Sequence, residues 1–225
     1  MMHQQIGKNI TIYIFILGLL TSINNSYLNE FNFLSISDIQ ISGLEDEKNL
    51  NLSNGIRNLN LTNILFLENY KIREIINSEN LVENFEVFKK YPSTLYIKIS
   101  KTEFLARINE YGKNFILGSN GKLIEDNNEA SLLPFIFGKP TIDEVLKVKR
   151  IFDESKFKYQ NIKSLYFFPS KRWDIEINNG PSIKLPHENV KEVLDLIHKI
   201  IPNEKLSNIK LIDARIKNQI ILNEY

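Results

Sequence analysis

The sequence predicts an α+β protein whose two globular units follow one apolar N-terminal segment. Three observations carry this expectation: a charge-free run near the start, a strand-helix-helix-strand-strand order through residues 34–101, and a strand-dominated remainder interrupted by two helices. The run is Ile10 to Ile23, ITIYIFILGLLTSI, preceded by Lys8. As a helix it reaches about 21 Å, short of a hydrocarbon core of about 30 Å. Extension to Leu28 supplies the missing length, with Asn24, Asn25 and Ser26 at the far interface. A cleaved signal peptide has an apolar region of similar length, but the first alanine is Ala106, so no Ala-x-Ala site follows the run. The expectation is an uncleaved transmembrane helix over 10–28. Lys8, with no acid before it, orients residues 1–9 as a cytoplasmic tail and leaves the rest of the chain exported to the periplasm.

Beyond the run, Ile39 and Ile41 alternate with Asp38, Gln40 and Ser42 up to Gly43, which predicts a strand and a turn. Leu52, Ile56 and Leu59 share one helical face, and Ile72, Ile75 and Ile76 share another, broken at Asn77-Ser78. Phe85 and Val87 alternate ahead of the turn Tyr91-Pro92-Ser93, and Leu95, Ile97 and Ile99 alternate after it, which predicts a hairpin. From Thr102 strands dominate. Segments 104–108 and 114–117 flank a turn at Tyr111-Gly112, and Ser119-Asn120-Gly121 marks another. Pro140-Thr141 opens a helix with capping-box spacing to Glu144 and with Ile142, Val145, Leu146 and Phe152 inward. Segments 165–168, 173–177 and 182–185 are three successive strands. Pro186 then starts a helix, with Val190, Val193, Leu194 and Ile197 inward, which Pro202 ends; a last strand covers about 210–223.

Composition excludes several functions. The 28 basic and 27 acidic residues nearly cancel, so the basic excess that neutralises nucleic-acid phosphates is missing, and no nucleic acid is expected as a partner. There is no cysteine, hence no disulfide and no thiolate nucleophile or ligand. Glycine fingerprints for nucleotides, nucleophile elbows and His-Glu-x-x-His are all missing, so the reading is of a non-enzymatic protein with no cofactor and no metal. His3, His187 and His198 lack a third ligand nearby, and the acidic groups Glu45-Asp46-Glu47 and Glu125-Asp126 fall in turns. Trp173 reads as a packing residue before a ligand platform, and Asp213 with Arg215 as a structural ion pair.

An ordered set of local patterns resembles the FtsQ/DivIB family of bacterial cell-division proteins. These are Ile39-Gln40-Ile41-Ser42-Gly43, Asn63-Ile64-Leu65 and Tyr91-Pro92-Ser93-Thr94-Leu95-Tyr96-Ile97, then Phe104-Leu105-Ala106-Arg107, where the family often has proline in place of Phe104. Gly118-Ser119-Asn120-Gly121 stands for an Asp-x-x-Gly turn, Leu133-Pro134-Phe135-Ile136-Phe137-Gly138 for LP-x-x-x-G, and Arg172 to Gly180 with Ile183 to Pro186 for a tryptophan-bearing hairpin. Ile212-Asp213-Ala214-Arg215 resembles the terminal VDLR strand. The resemblance, from about residue 8 to 222, implies a single-pass inner-membrane protein with a POTRA domain (β-α-α-β-β) at 34–101. A C-terminal antiparallel β domain with two helices would follow at 102–225. It implies a scaffold of the division complex at the septum that binds FtsB-like and FtsL-like bitopic proteins through the β domain. FtsK, FtsW and FtsI would be met through the POTRA domain, and the lipid bilayer through the anchor. The runner-up is a POTRA-type module in outer-membrane protein assembly or secretion; a cleaved wall hydrolase would need the catalytic set that is missing.

Two sets of partner-binding residues follow. Lys171, Arg172 and Trp173 place basic charge beside an aromatic on one hairpin, where the resemblance implies a meeting with acidic FtsB residues. Ile216 to Leu222 is expected to be an open edge for a partner's strand. Arg215 flanks it, Ile216, Asn218 and Ile220 share one face with Gln219 between them, and only Lys217 discourages pairing.

Overall fold

The computed structural model describes residues 3–23, 35–61, 63–65, 67, 69–126, 132–201 and 208–224. The first helix, α1 (His3–Ile23), contains the charge-free run, and the side chains described in it, 10–21, are all exposed, apolar ones such as Phe15 and Leu17 included. Among the described residues no helix is long and apolar enough to cross a membrane. Residues 24–28 of the expected span lie outside the described residues.

The chain divides into two compact units, one of 1–76 with 86–98, the other of 77–85 with 99–225. The elements of the smaller sheet follow the expected order: β1 (Asp38–Ser42), α2 (Asp46–Arg57), α3 (Asn69–Ser78), β2 (Val82–Lys90) and β3 (Thr94–Lys101). The sheet order is β1-β3-β2, with β1 parallel to β3 in the register Ile39↔Leu95 and Ile41↔Ile97. Alternation drives this layer, since Leu95, Ile97 and Ile99 are buried on one face of β3, as strand period two requires. Leu52, Ile56, Ile72 and Ile76 are the buried stripes of the helices. Leu59 falls beyond the end of α2 at Arg57, and α3 runs through the expected break to Ser78.

The second unit is built on a nine-stranded sheet. Its strands are β4 (Phe104–Glu110), β5 (Lys113–Gly118), β6 (Leu123–Glu125), β7 (Phe135–Phe137), β8 (Ile162–Phe167), β9 (Trp173–Ile177), β10 (Ser182–Lys184), β11 (Leu211–Asp213) and β12 (Ile221–Asn223). They lie in the order β12-β11-β10-β9-β8-β7-β4-β5-β6. Leu105, Ile136, Leu165, Ile175, Ile183 and Ile212 line a common core with Val145, Val148 and Phe152 of α4 (Ile142–Glu154) and Leu194 and Ile197 of α5 (Val190–Ile200). Inside it the Tyr159 hydroxyl donates to the Leu105 carbonyl at 2.9 Å, which satisfies both buried groups.

The expected antiparallel domain is corrected to a mixed sheet. The pairs β4/β7, β7/β8 and β10/β11 are parallel. For β7/β8 and β10/β11 the reason is the placement of the helices: α4 joins β7 to β8 and α5 joins β10 to β11, and a helical crossover returns the chain in its original direction. A second correction concerns α5. It begins at Val190 behind Asn189, whose φ is 55°, so Pro186, His187 and Glu188 form a bend ahead of the helix. The capping box on α4 is present: Glu144 N–H donates to Thr141 Oγ1 at 3.4 Å and Thr141 N–H to Glu144 Oε2 at 2.8 Å.

Two turns show why glycine occupies its motif positions. Tyr111 and Gly112 both have positive φ, 52° and 80°, the pair a two-residue hairpin needs between β4 and β5. Gly138 has φ 100°, and a Cβ built there would meet the Phe167 carbonyl oxygen at 2.4 Å. Gly138→Ala should therefore destabilise the second unit by roughly 1–3 kcal/mol, readable as a lowered midpoint in urea denaturation.

Candidate functional site

The end of β11 and the start of β12 do not form one strand. Expected strand 210–223 is corrected to two short strands that fold back on each other, Ile212 opposite Leu222 and Asp213 opposite Ile221. The connection is decided by local hydrogen bonds. Asp213 accepts from Arg215 Nε at 2.8 and 3.0 Å and from the Arg215 backbone N–H at 3.1 Å. Gln219 N–H then donates to the Ile216 carbonyl at 3.1 Å, closing a turn around Lys217 and Asn218, the latter at φ 62°. Ile216, Asn218 and Gln219 thus sit in a turn, not on a strand. A proline at Asn218 would break that turn whatever partner is present, because proline holds φ near −65°.

β12 ends the sheet order, so among the described residues its outer side has no partner strand. Ile221 and Leu222 are each 37% exposed. Beside it lies a groove of about 950 Å³. Its walls are the turn, with Ala214 to Ile220, and the bend 186–189 together with Glu192, Val193 and Leu196 of α5. Five of the eight expected partner-binding residues line this groove: Arg215, Ile216, Asn218, Gln219 and Ile220. Ile220 also packs on the core, whereas Ile216 stands 53% exposed. Its lining mixes the apolar Val193, Leu196, Ile216 and Ile220 with Glu188 and Glu192 of the helical wall and Arg215 and Lys217 of the turn.

The helical wall was missed in the sequence. Leu196 is 47% exposed although α5 buries Leu194 and Ile197. Its signal was present, since Leu196 is an apolar residue outside the inward set Val190, Val193, Leu194 and Ile197 of the same helix.

The other expected residues are placed apart. Trp173 is buried, with its ring 4.8 Å from that of Phe167, as a packing residue would be. With Lys171, Pro186 and His187 it lines a smaller cavity of about 230 Å³. Arg172 is engaged within the chain: its guanidinium lies 4.7 Å from the Phe168 ring centre and its Nε donates to Asp174 Oδ1 at 3.2 Å. Lys171, at φ 58°, is the exposed cation of that hairpin turn. Among the described residues no group of three His, Asp or Glu side chains is placed to hold a metal ion.

Residues 106–215 match the family described as "Cell division protein FtsQ/DivIB, C-terminal". This stretch carries the C-terminal domain of the FtsQ/DivIB family of cell-division proteins. The protein called Cell division protein FtsQ in Bradyrhizobium diazoefficiens is 22% identical over 169 residues, 72% of this chain and 48% of that protein. That of Rickettsia bellii is 25% identical over 69% of this chain and 59% of its own length, and that of Rhizobium meliloti 24% over 82% and 61%. The chain spans about half to three-fifths of the length of these relatives. The major extracytoplasmic domain of DivIB from Geobacillus stearothermophilus is a slighter likeness, 17% identical over 45% of this chain and 92% of that domain at a TM-score of 0.34. The family match runs from β4 through the Asp213–Arg215 pair and stops before the turn and β12.

Arg215 holds the Asp213 carboxyl below its ordinary range, first through the guanidinium hydrogen bonds and then through the backbone N–H. A depressed pKa contributes stability that is present above about pH 3.9 and is lost as pH falls through the folded value. The stability difference between the parent and Asp213→Asn should therefore be constant near neutral pH and shrink below about pH 4 in thermal melts.

Proposed function

We propose that the chain is a non-enzymatic scaffold of the bacterial division complex, linking early and late division proteins by holding an extended segment of a partner against the open edge of β12. The observation that carries this reading is the edge of β12, without a partner strand among the described residues, beside the groove of Arg215, Ile216, Asn218, Gln219 and Ile220. A strand laid on β12 gains main-chain hydrogen bonds, and the adjoining groove can select side chains or a short helix that follows the strand. The occupant in this reading is an FtsB-like bitopic protein, with an FtsL-like protein in the same assembly. Residues 34–101 act as a POTRA domain toward FtsK, FtsW and FtsI, and 102–225 as the β domain. The apolar helix, with every described side chain exposed, supports an inner-membrane anchor over 10–28 with 1–9 cytoplasmic and the remainder periplasmic.

The structural correction moves the decisive backbone groups from residues 218 and 219 to residues 221–223. Neighbouring N–H groups on a strand point to opposite edges, so prolines at Ile221 and Asn223 test one edge and proline at Leu222 the other. In the full chain, one class should abolish binding of an FtsB-like peptide while circular dichroism stays at the parent's value. The other class should weaken the pairing with β11. Parental binding by all three folded variants would remove β12 as the interface.

Lys171→Glu supplies an independent reading of the hairpin. If acidic partner residues approach this turn, association should slow at low salt and the difference should close at high salt. An association rate equal to the parent's at low salt would leave Lys171 as a solvated turn residue.

A further inference from the structure

β2 is the terminal strand of the three-stranded sheet, and its last five residues read Glu86-Val87-Phe88-Lys89-Lys90. Glu86, Phe88 and Lys90 share one face by strand period two, and all three are exposed, Phe88 at 48%. The Phe88 ring lies 6.1 Å from that of Tyr96 on β3, so the exposed phenylalanine extends an aromatic pair toward the sheet edge. Val87 and Lys89 belong to the other face, where Lys89 Nζ donates to the Leu65 carbonyl at 3.1 Å.

This segment is complementary to itself in one antiparallel register. A two-fold axis at Phe88 sets Phe88 opposite Phe88 of a second copy, Glu86 opposite its Lys90, and Lys90 opposite its Glu86. Opposite charges and aromatic pairs directly across an antiparallel ladder are both favourable. A two-fold contact of one patch with itself is the commonest closed symmetry. A parallel pairing in register would instead place like charges face to face, which is destabilising. We infer that the edge of β2 is a homodimer interface, in which two copies pair antiparallel about Phe88 into a continuous six-stranded sheet. Edge lysines ordinarily repel neighbouring strands. Here the glutamate two positions before Phe88 and the lysine two positions after it make the same charges select a single register and direction.

The absence of cysteine makes the test clean. Single cysteines are placed in the full chain in detergent micelles at Phe88, Glu86, Lys90 and, as an exposed control on α3, Tyr70. On mild oxidation Phe88→Cys should form a disulfide-linked dimer far in excess of the Tyr70→Cys control, because facing residues of an antiparallel pair lie within disulfide reach. Glu86→Cys and Lys90→Cys should cross-link poorly alone and strongly when mixed. Glu86→Lys should abolish the Phe88→Cys dimer, and adding Lys90→Glu to it should restore the dimer, which also shows that the variants fold. Cross-linking that is equal at all four positions, as association through α1 would give, overturns the inference. So does a Phe88→Cys yield no greater than the control's, or a Glu86→Lys variant that dimerises like the parent.

Discussion

Burial of a single face of the nine-stranded sheet is the constraint from which most of the second unit follows. Leu105, Ile136, Leu165, Ile175, Ile183 and Ile212 present a continuous apolar surface too wide for one helix, and both α4 and α5 lie over it. Each helix must leave the sheet and come back on the same side, so the strands it joins run parallel. That arrangement carries the chain outward from β8 and β9 through β10 to β11, and it leaves β12 at the margin of the sheet among the described residues.

The functional candidate arises at this margin because two demands meet there. The turn after β11 is held locally by the Asp213–Arg215 pair and by the hydrogen bond across Ile216 to Gln219, without being part of the sheet. Opposite it, α5 buries Leu194 and Ile197 but leaves Leu196 outward, so the groove between them has apolar as well as charged side chains in its lining. An open edge gives backbone affinity without sequence preference, whereas a groove with side-chain walls discriminates.

Much of the fold was legible in the residues. Period-two alternation located β1, β2 and β3, the Thr141–Glu144 spacing located the start of α4, and the helical stripes at Leu52 and Ile56 and at Ile72 and Ile76 matched the buried faces. These patterns are local, set by which side chains a strand or helix turns toward apolar neighbours. The candidate site was half legible. Arg215 to Ile220 were singled out as one segment, yet as an edge strand, because the apolar residues Ile216, Ile220 and Ile221 do not announce the left-handed Asn218 that turns the chain between them. Lys171, Arg172 and Trp173 were grouped by adjacency, and packing separates them: Trp173 goes to the core, Arg172 to Asp174 and Phe168, and Lys171 to solvent.

By itself the sequence determined the α+β order of elements, the apolar N-terminal helix, the missing thiol and nucleotide-binding motifs, and the resemblance to FtsQ/DivIB proteins, because each depends on residues close in the chain or on composition. Only the tertiary structure decided which strands are parallel, which edge is open, and that the helical wall of α5 faces the turn after β11. Those are relations between segments up to several tens of residues apart. They follow from how two helices share one sheet face, which no short pattern encodes.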